Sequence, residues 1–221
     1  SAEKHFSEVG IDAPVMVVRG DGALISAEVA KLKPIETAFI KEMTYKTANL
    51  EETLAQFEEH DSTTYSVAWI DCLATGKTLG RSLLMLGEHA LIPEFEDNIP
   101  EYDKLKVATA SKLNMPLDLP GFTLNSWSVK AFNALYYGKA RQQLSQRFVH
   151  FTPFFYPLDS IQNWKRMYGK NGFVQDQFVI PKAAGLEGLT EILTEIANSK
   201  RGSFLAVLAV FGEENNHYLG F

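Results

Sequence analysis

Cysteine is nearly absent from this chain of 221 residues, where Cys72 stands alone. One thiol closes no intrachain disulfide and builds no multi-cysteine zinc site, so a reducing, cytoplasmic setting is expected. Long apolar runs are lacking too. Nothing approaches the roughly 18 consecutive apolar residues of a spanning helix, and SAEKHFSEVG has no basic start leading into an apolar stretch. Neither a membrane-spanning segment nor a signal peptide is expected. Cations are in deficit, with 21 Lys and Arg against 27 Asp and Glu, a net charge of −6. A surface of that sign repels phosphate backbones, which argues against a nucleic-acid partner.

Familiar site signatures are also missing. Gly76-Lys77-Thr78 resembles the end of a phosphate-binding loop, but Asp71 stands where the first glycine belongs. Gly20-Asp21-Gly22 lacks the third glycine of a dinucleotide fingerprint and reads as a turn. The histidines at 5, 60, 89, 150 and 217 show no HxxxH or HExxH spacing, so no metal site is expected.

What is present is the pattern of a folded α+β domain. Asn49 with Glu52 three residues on marks a helix start, and Leu50, Leu54 and Phe57 follow at helical spacing. A second helix runs from Ser126, with Val129, Phe132 and Tyr136 on one face and Leu135 beside them. In a third, Leu186, Leu189, Ile192, Leu193 and Ile196 form a stripe that Lys200, Arg201 and Gly202 terminate. Strands are expected over 36–45, 63–74, 80–90, 147–156, 172–181 and 202–212, all rich in β-branched and aromatic residues. The runs 63–74 and 80–90 lie close enough for a hairpin, which makes the sheet mostly antiparallel, with helices packed on one face. SFLAVLAVFG (203–212) is apolar at nearly every position, as in a central strand buried on both faces. Four prolines and several acids make 92–121 a long exposed excursion. HYLGF at the end opens what reads as a further strand, so the polypeptide is expected to continue past Phe221.

Three places could carry binding chemistry. A strand at 172–181 would set Gln175 and Gln177 side by side with Val179. Two neutral amides suit a polyhydroxylated ligand, and they equally suit the wet face of an antiparallel sheet. Trp69 shares a strand face with Tyr65, Val67 and Asp71, either as a core anchor or as a pocket wall. Tyr156 sits where the chain turns at Pro157, a capped turn or the rim of a site.

Six ordered blocks carry a resemblance over roughly Lys31 to the end: KLKPIETAFI (31–40), TANLEETLAQFEE (47–59), TYSVAWIDC (64–72), LGRSLLMLGEHA (79–90), FFYPLDSIQNWKRMYGKNGFVQDQFVIP (154–181) and SFLAVLAVFGEENN (203–216). Together they resemble the substrate-binding (cap) domain of FAD-linked oxidoreductases of the vanillyl-alcohol-oxidase superfamily, in the branch with the sugar-lactone oxidases and decaprenylphosphoryl-ribose oxidase. The resemblance implies a flavoenzyme whose FAD is held mainly by another domain of the same gene product, absent from this chain. Residues 31–221 would then shape the pocket for a small, sugar-like substrate that gives a hydride to the flavin. The chain alone would not turn over. By the same analogy Trp69, Phe155, Tyr156, Gln175, Gln177 and Val207 fall where relatives place pocket residues. No catalytic residue is assigned. Two departures weaken the catalytic analogy: Ala209 stands where relatives commonly carry lysine, and Asp176 where they carry an aromatic or apolar residue.

Residues 1–30 fit that picture less well. GIDAPVMVVRGDGALISAEVAKLKPIET resembles a segment of hydantoinase/oxoprolinase-type proteins, which have an actin-like ATPase fold. Two rival readings therefore stand beside the oxidase: a non-catalytic ligand- or protein-binding α+β module, and a fragment related to the hydantoinases.

Overall fold

The computed structural model describes residues 16–18, 24–26, 34–94, 104–106, 113–123, 125–170, 172–203 and 205–212. Most of the hydantoinase-like segment and the expected strand at 217–221 lie outside these residues. The chain divides into two units, one of Ser1–Ile35 with Phe211–Phe221 and one of Glu36–Val210. In the first, β1 (Met16–Val18) pairs antiparallel with β2 (Leu24–Ser26).

The second unit is the expected α+β domain. Its strands are β3 (Phe39–Thr47), β4 (Tyr65–Ile70), β5 (Ser82–His89), β6 (Leu144–His150) and β7 (Val207–Leu208). They form one sheet in the order β6-β3-β5-β4-β7, antiparallel at every pairing. The β4–β5 hairpin is present as read from sequence. Its connection turns through Gly76 and Gly80, both at positive φ, a conformation that glycine adopts without steric cost.

One face of the sheet carries the core. α1 (Leu50–Glu59) starts on Asn49, whose Oδ1 accepts from the Glu52 N–H at 2.9 Å, while Glu52 reaches back to the Ala48 N–H at 2.8 Å. The first bond satisfies a donor the helix would leave orphaned, and the second ties the preceding residue to the first turn. From there Leu50 and Phe57 point into the core. α4 (Gly185–Ser199) adds Leu189 and Leu193, packed with Leu50, Ile70 and Cys72, and beside them lie Ala68, Leu84 and Leu86. Burying each such Leu contributes about 1.5–3 kcal/mol. Cys72 belongs to this interior. Burial pushes its thiol above the ordinary value, and Sγ donates to the Ser203 carbonyl at 3.2 Å.

Two further helices approach the sheet from its ends. α2 (Ser126–Lys139) begins with a capping box between Asn125 and Ser128. Its inward residues are Val129 and Asn133, whereas Phe132 and Leu135 are exposed, which corrects the expected apolar face. The reason is polar: the Asn133 amide donates to Asp71 Oδ1 at 2.8 Å, which turns the helix about its axis. α3 (Phe151–Phe155) replaces the second half of the strand expected at 147–156. His150 caps it by accepting from the Thr152 N–H at 3.2 Å, and Pro153 falls in the first turn, where a missing N–H costs nothing.

Two more corrections concern the end of the chain. Residues 172–181 form no strand. Among the described residues of 202–212 only Val207–Leu208 pair, at the sheet edge, and Val207 is 59% exposed, so this is no central strand buried on both faces. α4 stops at Lys200, φ 58°, within the expected Lys200–Gly202 terminator, and Gly202 lies tight against Leu73.

Candidate functional site

The cross-strand register decides which side chains share the face opposite the core, because side chains alternate along each strand. Trp69 stands opposite Leu83 and, on its other side, Val207. Two residues along, Val67 faces Met85, which faces Thr44. At the next level Tyr65 faces Gly87, Gly87 faces Glu42, and Glu42 faces Arg147.

α2 and α3 overhang opposite ends of this face. Tyr136 of α2 lies against Trp69 with ring centroids 4.7 Å apart, and Phe132 stacks behind it at 5.9 Å. At the other end Phe154 of α3 occupies the space over Gly87 so closely that any Cβ there would strike it, along with Ile40. Phe155 meets Tyr65 edge-on at 4.8 Å. Val67 and Met85 are half-buried in the strip between, and Val207 at its margin is exposed.

The polar groups on this face are held in place. Glu42 is buried, and its Oε1 accepts from Arg147 Nε and Nη2, each at 2.8 Å, and from the Thr44 hydroxyl at 3.0 Å. The Arg147 side chain is 59% exposed, with its guanidinium held by Glu42 and N–H groups left over for a ligand. Burial pushes the Tyr136 hydroxyl above the ordinary tyrosine value; Glu42 adds to that shift and Arg147 opposes it. Tyr65 is raised as well, by burial and then by Glu88. Both phenols remain protonated at neutral pH and serve as donors, not as bases. His89, edge-on to Tyr65 at 5.6 Å, has a buried Nδ1 with no hydrogen-bond partner. The arrangement can hold a partly apolar ligand against an aromatic and aliphatic floor while donating hydrogen bonds to its oxygens.

The candidate residues from sequence separate into groups. Trp69 is buried, 4% exposed, with Val207 as its register partner. Phe155 and Tyr156 lie at the α3 end of the face, beyond Tyr65. Tyr65 and Trp69 are four residues apart along β4, about 13 Å at the usual strand rise. Gln175 and Gln177 are both exposed, on segment 172–181, which forms no strand. Neither of two surface concavities includes any of the six: one of about 200 Å³ is lined by Tyr45, Lys46, Gln56 and Gln143, and one of about 570 Å³ by Ile161–Arg166. Glu42 and Arg147 were not singled out by sequence, and Tyr136 was read only as part of a helix face. Glu42 does sit in step with Ile40 on β3, but its partner is 105 residues away, beyond any spacing rule.

The fold and this face define an α+β domain with a helix-packed core on one side of its sheet and a partly open, aromatic-bounded strip on the other. No family model matches the chain. It is 30% identical over an alignment of 224 residues, covering 99% of its length, to decaprenylphosphoryl-beta-D-ribose oxidase of Mycolicibacterium smegmatis. The match upholds the resemblance to FAD-linked oxidases drawn from the sequence blocks, and it extends over nearly all of the hydantoinase-like first thirty residues as well. The chain spans about half, 48%, of that relative's length.

Proposed function

We propose that this chain is the substrate-binding part of an FAD-dependent oxidoreductase that oxidises a sugar-like alcohol or lactone. The observation that carries the reading is the 30% identity to decaprenylphosphoryl-beta-D-ribose oxidase along 99% of the chain. The partly exposed apolar strip of Val67, Met85 and Val207 beside the buried Trp69 is compatible with it, being apolar surface on which a ring can pack. When bound, the flavin supplies the hydride acceptor. FAD itself would be held mainly by a domain of the same gene product outside this chain.

The work of these residues is positioning. Trp69 and Tyr136 form a floor that excludes water beneath the ligand. Arg147, fixed by Glu42, and the protonated Tyr136 donate to ligand oxygens. Gln175 and Gln177 orient the substrate's hydroxyl groups, each amide offering donors and an acceptor. A small-molecule substrate and a cytoplasmic setting belong to the same proposal, the latter resting on Cys72 as the single cysteine.

In the full-length enzyme, Gln175→Leu and Gln177→Leu are each expected to raise KM or lower kcat by the equivalent of about 1–3 kcal/mol of lost polar pairing. Steady-state kinetics check this. Unchanged constants in both variants would remove the glutamines from the site.

A further inference from the structure

The outer face of α2 is apolar. Val129 and Asn133 are the buried residues of this helix. Trp127, Ala131, Ala134 and Gly138 recur at steps of four, three and four, which sets them on one stripe, on the side of the helix away from that pair. All four are exposed, Trp127 at 83%, and Leu135 at 76% borders the stripe. A helix face left in water on a folded domain is ordinarily polar or charged. Here the charges stand only at the margins, with Lys130 along one side and Lys139 along the other, beyond Leu135.

The charge around this stripe is of one sign. From Leu119 to Leu158 the charged residues are Lys130, Lys139, Arg141 and Arg147, with no Asp or Glu among them, in a chain whose net charge is −6. Lys130, Lys139 and Arg141 are exposed beside the apolar stripe or just past its end, whereas Arg147 is held by Glu42 on β6. The surface is also convex, since neither of the two concavities described above is lined by a residue of α2. A ridge bearing Trp and Leu between cations matches a bilayer interface, where an indole lies at headgroup depth and Lys and Arg meet anionic lipid. Among the described residues no helix is long and apolar enough to cross a membrane, so the contact is with its surface.

We propose that α2 docks this domain on an anionic lipid bilayer. Trp127 and Leu135 enter the headgroup boundary, and Lys130, Lys139 and Arg141 meet lipid phosphates. No step of the inference uses flavin or the oxidised substrate, so its failure leaves the oxidase reading to be decided by flavin chemistry.

Vesicle flotation of the full-length gene product tests it, with bilayers of phosphatidylcholine alone and of phosphatidylcholine containing about 30% phosphatidylglycerol. Binding should be about 10-fold or more tighter to the anionic vesicles, and two double variants should each weaken it by about 10-fold or more: Trp127→Ser with Leu135→Ser, and Lys130→Glu with Arg141→Glu. All four positions are exposed, so the urea midpoint should stay where it is, which separates lost docking from lost fold. A gene product that stays off the anionic vesicles overturns the proposal, and so does binding that either double variant retains in full. Absence of vesicle binding, together with a dimer that Trp127→Ser with Leu135→Ser dissociates, would assign the stripe to a second copy of the chain instead.

Discussion

Replacing Asp71 with alanine should cost about 3–5 kcal/mol of folding stability, the usual loss when one partner of a buried ion pair is removed. The carboxylate is 4% exposed at the end of β4 and serves three elements at once. Oδ2 accepts from Arg81 Nε and Nη2 at 2.9 and 2.7 Å, which ties off the hairpin connection. Oδ1 accepts from Asn133 of α2 at 2.8 Å and from the Leu73 N–H at 3.2 Å. Alanine would leave a guanidinium and an amide, both largely buried, without their acceptor. Because these groups act together, Asp71→Ala combined with Asn133→Ala should cost less than the sum of the two, by about 0.5–3 kcal/mol. Urea unfolding of the four species measures the coupling. Additive losses would mean that α2 is held by other contacts.

The second large effect is expected at Gly80. Its φ of +71° is costly for a residue with a side chain, by about 1–2 kcal/mol. A Cβ there would also stand 2.6 Å from Leu50 Cβ and 3.1 Å from Leu50 Cα. Leu50 opens α1 and cannot withdraw, because its N–H donates to the Leu79 carbonyl at 2.8 Å. Overpacking of this kind adds about 1–3 kcal/mol, so Gly80→Ala should lose about 2–5 kcal/mol in all. Gly76 provides the control, with a φ of +60° and nothing within 4 Å of its would-be Cβ. Gly76→Ala should show the conformational cost alone. Equal losses at the two positions would show that contact with Leu50 contributes nothing.

Local signals in the sequence were the dependable ones. The Asn49–Glu52 cap, the β4–β5 hairpin and the α4 stripe depend on neighbours a few residues away, and each is found in the structure. Residues 147–156 read as one strand because β-propensity records fitness for a pleated surface; the cap from His150 and the proline after it turn the second half into α3. SFLAVLAVFG reads as central for a similar reason, since composition carries no information on how many neighbours a strand has. The site follows the same division. Trp69 and Tyr65 could be placed on one strand face by alternation, but Val207 joins Trp69 only through the β4–β7 register, and Arg147 joins Glu42 only through β3–β6. Tertiary pairing, not local pattern, assembles that face.

We propose flavin-dependent oxidation of a sugar-like substrate as the reaction this domain serves. The most direct measurement is the absorbance of the purified full-length gene product supplied with FAD, followed anaerobically as an alditol or a sugar lactone is added. A yellow protein whose flavin bleaches on addition of substrate is the predicted result. A protein that stays colourless, taking up no FAD, would contradict it.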